Sequence, residues 1–201
     1  MGENPARARP ASSKRGRAKP SHLLALVAPI RAPVRLAAIV PAMPKKSAGL
    51  LMYRVRNGAL EVLLVHLGGP FWTKKDAGAW FLPKGEIEPG EDDLSAAKRE
   101  FEEETGLKPT SAFLPLGSVK HKSGKIVTAW AFEGDCDPSS LKSNTFTMEW
   151  PPRSGKQQEF PEIDRAGFFT LEAARIKMHP TELEFFIRLD ESTRARSGEP
   201  K

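Results

Sequence analysis

The chain has 201 residues, a length that suits one domain with an extension. Its net charge of +6 is unevenly distributed: residues 1–47 contain ten Lys or Arg residues and one acid, whereas residues 48–201 contain 21 basic and 24 acidic residues. This asymmetry argues against a nucleic-acid-binding domain, because the part with a folding pattern is mildly acidic. Cys136 is the only cysteine, which excludes an internal disulfide and leads us to expect a reducing, cytoplasmic compartment.

The basic N-terminal extension, residues 1–47, is rich in Pro, Ala, Arg and Ser and lacks helical or strand periodicity, so we predict that it is disordered. Its apolar stretch, residues 23–40, contains two prolines and two arginines and is therefore not predicted to span a membrane. Two alternatives stay open for its origin. It is an Arg-rich organelle transit peptide, or translation begins at Met43 and the upstream segment is an artefact.

The hydrophobic pattern predicts several strands and few helices. Strands at residues 48–56 and 60–66 are separated by Asn57-Gly58, a strong hairpin signal. A Gly-rich loop leads to a short strand at residues 80–82 and a helix at residues 94–104. Further strands are predicted at residues 111–120, 125–133, 146–150 and 163–169, a loop at 151–159, and helices at 171–177 and 180–190. This order predicts an α/β/α sandwich with a mixed sheet over residues 48–190, followed by a flexible tail, residues 191–201.

The helix predicted at residues 94–104 has clear ends and a core-facing stripe. Asp92 is placed to cap its first turn, and Gly106 is placed to end it in a left-handed conformation. At about 100° per residue, Leu94, Ala97 and Phe101 fall on one face of the helix. We therefore expect this face to pack against the sheet.

A second face of this helix carries Glu100, Glu103 and Glu104, spaced i, i+3 and i+4. Like charges at these spacings destabilise a bare helix by about 0.2–0.5 kcal/mol per pair, and a divalent cation would remove that cost. Clustered oxygen ligands suit Mg²⁺ or Mn²⁺ rather than zinc. The alternative, a solvated acidic face, is our interpretation of Glu102, which points to the other side of the core stripe.

Residues 85–107 read GEIEPGEDDLSAAKREFEEETGL. The segment consists of a glycine, five residues, Glu91, seven residues, and then Arg99-Glu100-Phe101-x-Glu103-Glu104-x-Gly106-Leu107. The segment resembles the Nudix box. The Nudix family hydrolyses pyrophosphate bonds in nucleoside diphosphates linked to another group, using a bound divalent metal, and its fold is an α/β/α sandwich. The resemblance therefore implies a metal-dependent hydrolase, an enzyme that takes a small nucleotide substrate.

The resemblance also implies roles for the residues of the box. Glu100 and Glu104 are expected to be metal ligands, with the Gly85 carbonyl as a further one. Glu103 is expected to be a ligand or the base that activates a water molecule. An ion pair that orients the metal-binding carboxylates is expected between Arg99 and Glu91.

Other site residues are expected outside the box. Many family members need another carboxylate from a later loop, and we expect Glu159 in preference to Glu149 and Glu162. The approach to the box, residues 80–93, is similar to the diadenosine tetraphosphate hydrolase branch, which implies a phosphate contact for Lys84. Further candidates for substrate binding combine rings and positive charge in the same region: Trp72, Lys74, Lys75 and Trp80.

The substrate itself is not selected by the box, because recognition lies in the loops around it. We expect a dinucleoside polyphosphate such as diadenosine tetraphosphate, and the alternative is a nucleoside triphosphate or a nucleotide sugar of the ADP-ribose type. The rival of another class is a non-catalytic nucleotide-binding module, or an RNA-associated factor with residues 1–47 as a basic arm. The complete set of box carboxylates favours the enzyme.

Overall fold

We describe residues 45–110 and 112–197 of a computed structural model of the chain. The N-terminal extension was predicted to be disordered, and its residues 1–44 lie outside the described residues. The first strand begins at Lys46 and the last helix continues to Ser197, whereas the predicted domain covers residues 48–190. Most of the predicted flexible tail is thus helical. No helix of the described residues is both long and apolar enough to cross a lipid bilayer.

The described fold consists mainly of strands. They are β1 (Lys46–Arg56), β2 (Ala59–Leu67), β3 (Trp80–Phe81), β4 (Lys84–Glu86), β5 (Leu114–Lys120), β6 (Ile126–Glu133), β7 (Thr145–Glu149), β8 (Gln157–Pro161) and β9 (Ile163–Thr170). The helices are α1 (Asp93–Thr105), α2 (Leu171–Lys177) and α3 (Glu184–Ser197). Short 3-10 turns lie at Pro138–Ser140 and Pro180–Glu182.

Seven strands form one mixed sheet in the order β3-β2-β1-β6-β5, with β4 added beside β1 and β9 beside β2. β1 and β6 run parallel, and the other pairs are antiparallel. The turn between β1 and β2 has positive φ at both Asn57 (52°) and Gly58 (76°), which confirms the hairpin signal in the sequence. β7 and β8 form a separate antiparallel hairpin.

β1 and β2 diverge beyond their shared hairpin, and this divergence makes room for the residues that precede α1. β2 pairs with β1 over residues 59–62 but with β3 at Val65 and His66. β1 pairs with β4 over residues 47–49. Residues 80–86 therefore fill the gap between the two strands, and α1 packs on β4 and β1. This arrangement brings Gly85 under the acidic face of α1.

The sheet is buried on both faces because successive side chains of its central strands alternate between two apolar clusters. Leu50 packs with Phe101 of α1 in one cluster. Its neighbour Leu51 packs with Phe185 and Leu189 of α3 in the other. Helices therefore cover both faces, which confirms the predicted α/β/α layering with a mixed sheet.

Two short strands differ from the sequence prediction. The predicted loop at residues 151–159 ends early, because residues 157–161 form β8 opposite β7. The sequence of β8, QQEFP, has only Phe160 half-buried, so it carries no alternating apolar signal. β4 was not predicted, because its three residues, KGE, contain no apolar side chain and pair through the backbone alone.

Candidate active site

α1 carries the predicted carboxylates, and its ends lie where the sequence predicted them. The Asp92 carboxylate accepts hydrogen bonds from two backbone N–H groups of the first turn, at 3.1 and 3.0 Å. At the other end Gly106 adopts a φ of 74°, and its N–H donates to the Glu102 carbonyl at 2.7 Å. The caps therefore fix which residues belong to the helix.

Phe101 fixes the rotation of α1 about its axis. Its side chain is fully buried and meets the Phe132 ring edge-to-face, with 5.1 Å between ring centres. Glu100 lies one residue before Phe101 and Glu104 three residues after it, so the same rotation directs both carboxylates toward β4. Two carboxylates are thus held at the margin of the core, where an isolated charge is costly.

The Glu104 carboxylate lies deep among protein atoms, although the residue as a whole keeps some exposure. Its Oε2 accepts a hydrogen bond from the Lys84 backbone N–H at 3.0 Å. Burial raises the pKa of Glu104 to about 8; Lys84 opposes the increase, and the charges of Glu100 and Glu162 add to it. Without a compensating cation, this environment favours the protonated carboxyl.

Gly85 lies so close to Glu100 that a larger residue would require the Glu100 side chain to move. A Cβ added to Gly85 would overlap the Glu100 carboxylate. The Glu100 side chain is 15% exposed. Burial raises the pKa of this carboxyl above its ordinary value, while Arg99 opposes the increase. The structure thus brings together three residues that the sequence assigned to a metal, Gly85, Glu100 and Glu104.

Arg99 joins the box carboxylates into one network. Its Nε and Nη2 donate to the two oxygens of Glu91 at 3.0 and 2.9 Å, a bidentate pair. Its Nη1 donates to Glu100 at 2.7 Å and to Glu103 at 3.3 Å. The guanidinium also holds the pKa of Glu91 below its ordinary value. The ion pair expected between Arg99 and Glu91 is present, and it orients Glu100 directly.

Glu103 is more exposed than Glu100 and shares the Arg99 Nη1 donor with it. Its side chain is 44% exposed and contacts Arg99. Within the described ranges, no three His, Cys, Asp or Glu side chains are arranged to hold a metal ion. The remaining pair, Glu100 and Glu104, offers buried oxygen donors with raised pKa values. That donor chemistry fits a hard divalent cation such as Mg²⁺ or Mn²⁺.

A cavity of about 610 Å³ opens beside this pair of carboxylates. Its polar end is lined by Lys84, Gly85, Glu100, Glu104 and Glu162. Apolar walls come from the end of β2 and the loop after it, from β7 and from the start of β9: Leu67, Pro70, Phe71, Trp72, Phe146, Met148 and Ile163. Apolar walls with a few charged groups at one end are typical of small-molecule sites.

Only part of the predicted substrate-binding set lines this cavity. Trp72 and Lys84 do, whereas Lys74 and Lys75 are exposed and lie outside the lining. The Lys75 ammonium lies over the Trp72 ring instead, 4.3 Å from its centre. The structure contradicts a substrate role for Trp80, which is 5% exposed and belongs to the core on the α3 side of the sheet.

The additional carboxylate near the site is Glu162, which corrects the preference for Glu159. Glu159 is exposed on β8 and accepts a hydrogen bond from the Thr145 hydroxyl of β7 at 2.5 Å. Glu149 is exposed as well and accepts a hydrogen bond within the hairpin loop. Glu162 lines the cavity, and its charge contributes to the raised pKa of Glu104.

Comparison with known proteins assigns the family. The family described as NUDIX domain matches residues 43–189, which is more than half of the chain. The chain belongs to the Nudix family. The resemblance found in residues 85–107 is thereby confirmed, and the network of Arg99, Glu100, Glu103 and Glu104 is that of its Nudix box.

Curated Nudix relatives match parts of the chain. The asymmetrical bis(5'-nucleosyl)-tetraphosphatase of Rattus norvegicus is 31% identical over 103 residues, which cover 45% of this chain and 66% of the relative. The protein of the same name from Caenorhabditis elegans is 40% identical over 65 residues, covering 32% and 43%. Nudix hydrolase 12, mitochondrial, of Arabidopsis thaliana is 32% identical over 115 residues, covering 56% and 55%. The matched region is thus 43–66% of the length of these relatives.

Solved Nudix structures share the fold. A Caenorhabditis elegans Ap4A hydrolase in a binary complex aligns with a TM-score of 0.53 at 23% identity, over 75% of this chain and 98% of that one. A MutT/Nudix family protein of Listeria innocua aligns with a TM-score of 0.52 at 19% identity, over 77% and 97%. This likeness concerns the fold, and it confirms the predicted Nudix-type sandwich.

A second polar cluster lies on the opposite face of the Nudix sheet. Strand alternation directs Gly85 toward α1 and the Lys84 side chain away from it. The Lys84 ammonium is 3.6 Å from the carboxylate of Glu182, and His121 Nε2 is 3.4 Å from it. Glu182 is fully buried, and neither of its oxygens has a hydrogen-bond partner among the described residues. Sequence reasoning missed this cluster, because an acid in HPTELEFF reads as an ordinary surface residue.

Proposed function

We propose that the chain is a metal-dependent pyrophosphohydrolase that cleaves a phosphoanhydride bond in a nucleoside diphosphate linked to another group. One observation carries this proposal: Glu100 and Glu104 lie half-buried together beside Gly85, with raised pKa values, at the polar end of an apolar-walled cavity. The two carboxylates repel each other, and a bound cation would offset that repulsion and the cost of their burial.

The proposed cofactor is Mg²⁺ or Mn²⁺. Glu100 and Glu104 would hold it, with the Gly85 carbonyl as a further ligand. A bound divalent ion neutralises phosphate charge and lowers the pKa of a coordinated water molecule. Oxygen donors of this kind suit either ion, and the described residues of the cavity lining include no His or Cys that would favour zinc.

The chain's own residues perform three tasks in this proposal. Arg99, held by Glu91, fixes the position of the Glu100 carboxylate through the 2.7 Å hydrogen bond. The Lys84 backbone N–H fixes Glu104 at 3.0 Å. Glu103 is the most exposed carboxylate of the three, held by a 3.3 Å contact with Arg99, and is the proposed acceptor of the proton of the attacking water.

The proposed substrate is a dinucleoside polyphosphate such as diadenosine tetraphosphate, cut asymmetrically. Support comes from the partial matches to two asymmetrical bis(5'-nucleosyl)-tetraphosphatases and from the similarity of residues 80–93 to that branch. The cavity provides room for a nucleotide beside the carboxylates. Lys84 belongs to the cavity lining, but its ammonium lies 3.6 Å from the Glu182 carboxylate on the other face of the sheet and would have to leave Glu182 to contact the distal phosphates of a long chain.

A substrate panel tests the proposal. In the presence of Mg²⁺, the full chain is incubated with one substrate at a time: diadenosine tetraphosphate, ATP, ADP-ribose or 5'-triphosphorylated RNA. The products are resolved by anion-exchange chromatography. We expect diadenosine tetraphosphate to be consumed fastest, giving a mononucleotide and a shorter polyphosphate nucleotide. Preference for ATP, ADP-ribose or RNA would refute the substrate while leaving the hydrolase, and absence of hydrolysis with both Mg²⁺ and Mn²⁺ would refute the hydrolase.

A further inference from the structure

One face of the β7–β8 hairpin forms a wall of the cavity. Phe146 and Met148 lie two residues apart on β7, and the burial pattern of the strand alternates, with both of them half-covered. The intervening Thr147 is exposed on the other face. Both Phe146 and Met148 line the cavity, opposite the loop after β2 that carries Phe71 and Trp72.

The two walls are joined at both ends. At the base, the Gly68 N–H donates to the Glu162 carbonyl at 2.8 Å, and the Glu162 N–H donates to the Asn144 carbonyl at 2.9 Å. At the far end, the rings of Phe71 and Trp150 meet edge-to-face with 5.3 Å between their centres. The hairpin is therefore tied to the loop beside the carboxylates and again at the outer edge, and the cavity lies between these ties.

Part of the apolar surface of these walls is left uncovered by the fold. β7 and β8 pair with no strand of the main sheet among the described residues, and a two-stranded hairpin has little stability of its own. Phe71 is 55% exposed, and it lines the cavity. Exposed rings at a concave site are the usual sign of a ligand surface.

The distribution of charge decides which part of a substrate these walls suit. Lys84 is the one Lys or Arg among the described residues that line the cavity, and its ammonium lies near Glu182 on the other face of the sheet. The lining carboxylates are Glu100, Glu104 and Glu162. A second phosphorylated group, such as a sugar or inositol phosphate, would find no positive charge between the apolar walls. An uncharged planar ring would find aromatic and thioether surfaces on both sides.

We propose that the nucleobase of the substrate binds between the Phe71–Trp72 loop and the Phe146–Met148 face of the β7–β8 hairpin. The hairpin is then the element that selects nucleotides from other compounds with the same phosphoanhydride bond. This inference rests on the proposed hydrolase function, because it places the phosphates of the same molecule at Glu100 and Glu104. Stacking of one base on aromatic side chains is worth roughly 5- to 150-fold in affinity.

Equilibrium binding tests the hairpin separately from hydrolysis. Isothermal titration calorimetry with the full chain and Mg²⁺ compares α,β-methylene ATP, which carries a base, with inorganic tripolyphosphate, which does not. We expect the wild type to bind the nucleotide at least about tenfold more tightly. Phe146→Ala and Met148→Ala should each remove most of that difference while leaving the Kd of tripolyphosphate unchanged, and the matched control Thr147→Ala should change neither.

The outcomes separate the two proposals. Equal affinity of the wild type for both ligands would overturn the base site, as would an unchanged nucleotide affinity in both Phe146→Ala and Met148→Ala. Met148→Ala keeps the inference testable if Phe146→Ala does not fold, because Phe146 also contacts Phe160. A base-dependent affinity that is lost in these variants, in a protein that hydrolyses no nucleotide, would support the base site and refute the hydrolase.

Discussion

The backbone N–H of Lys84 donates to Oε2 of Glu104 at 3.0 Å, so the strand that leads into the Nudix box is bonded to the last turn of the helix within it. Gly85, which follows Lys84, lies against Glu100 one helical turn earlier. The two carboxylates are therefore positioned by one short strand, β4. Their environment raises the pKa of both, and that of Glu104 to about 8.

The raised pKa of Glu104 predicts how the metal-free protein responds to pH. Between the ordinary value of 4.5 and about 8, the folded state holds a proton that the unfolded state has lost, so the stability contributed by protonated Glu104 is present below 4.5 and is lost as the pH rises through about 8. We expect the Tm of the wild type to fall relative to that of Glu104→Gln over this range, measured with EDTA. A constant difference would contradict the assignment of the shift to Glu104.

Gly85→Ala is expected to damage the site through steric overlap. Gly85 has no left-handed φ, so the cost comes from the added Cβ, which would meet the Glu100 carboxylate. We predict a lower Tm and a loss of Mg²⁺-dependent turnover. In the double variant Gly85→Ala/Glu100→Ala, the decrease in Tm should be smaller than the sum of the decreases in the two single variants, because the overlap is gone. Strictly additive Tm changes would show that the two residues do not conflict.

Arg99→Lys tests whether the guanidinium positions the carboxylates. Lysine keeps the charge but cannot bond Glu91 through two nitrogens and reach Glu100 at the same time. We expect the Mg²⁺ concentration at half-maximal turnover to rise about 10- to 100-fold. Arg194→Lys, at an exposed ion pair with Asp190 on α3, is the matched control. An unchanged Mg²⁺ requirement in Arg99→Lys would assign Arg99 a structural role only.

The sequence predicted the box well, because its information is local. Helix caps, core stripe and acidic face of α1 all follow from spacings within 23 residues, and each was found. Glu162 could not be chosen over Glu159 in this way. The direction of Glu159 depends on its cross-strand pairing with Thr147, and β8 has no apolar alternation that reveals a strand. The burial of Glu182 likewise depends on contacts between distant segments.

Trp72 and Trp80 show the same limit for the substrate contacts. Both are aromatic residues of one Gly-rich approach to the box, and composition does not distinguish them. The divergence of β1 and β2 places Trp80 on a strand, β3, where its side chain enters the core. Trp72 stays in the loop and lines the cavity. The different positions of Trp72 and Trp80 follow from the pairing of the strands, which the sequence pattern does not predict.

Glu162→Gln and Glu159→Gln form a matched pair for the carboxylate outside the box. The two residues are three positions apart, but only Glu162 lines the cavity and acts on Glu104. We predict that Glu162→Gln lowers kcat or raises the Mg²⁺ requirement by about tenfold, and that Glu159→Gln stays within twofold of the wild type. The reverse pattern in steady-state kinetics would restore Glu159 as the functional carboxylate.

The most direct test of the account is the turnover of Glu104→Gln and Glu103→Gln beside Glu102→Gln. Glu102 lies on the same helix, paired with Lys108 at 3.5 Å and turned away from the site, so it controls for the loss of one acid. With Mg²⁺ and diadenosine tetraphosphate, we predict that kcat falls at least about 100-fold in the first two variants, with folding retained, and is unchanged in the third. Near-wild-type turnover in both Glu104→Gln and Glu103→Gln would contradict the central claim that these carboxylates perform the hydrolysis.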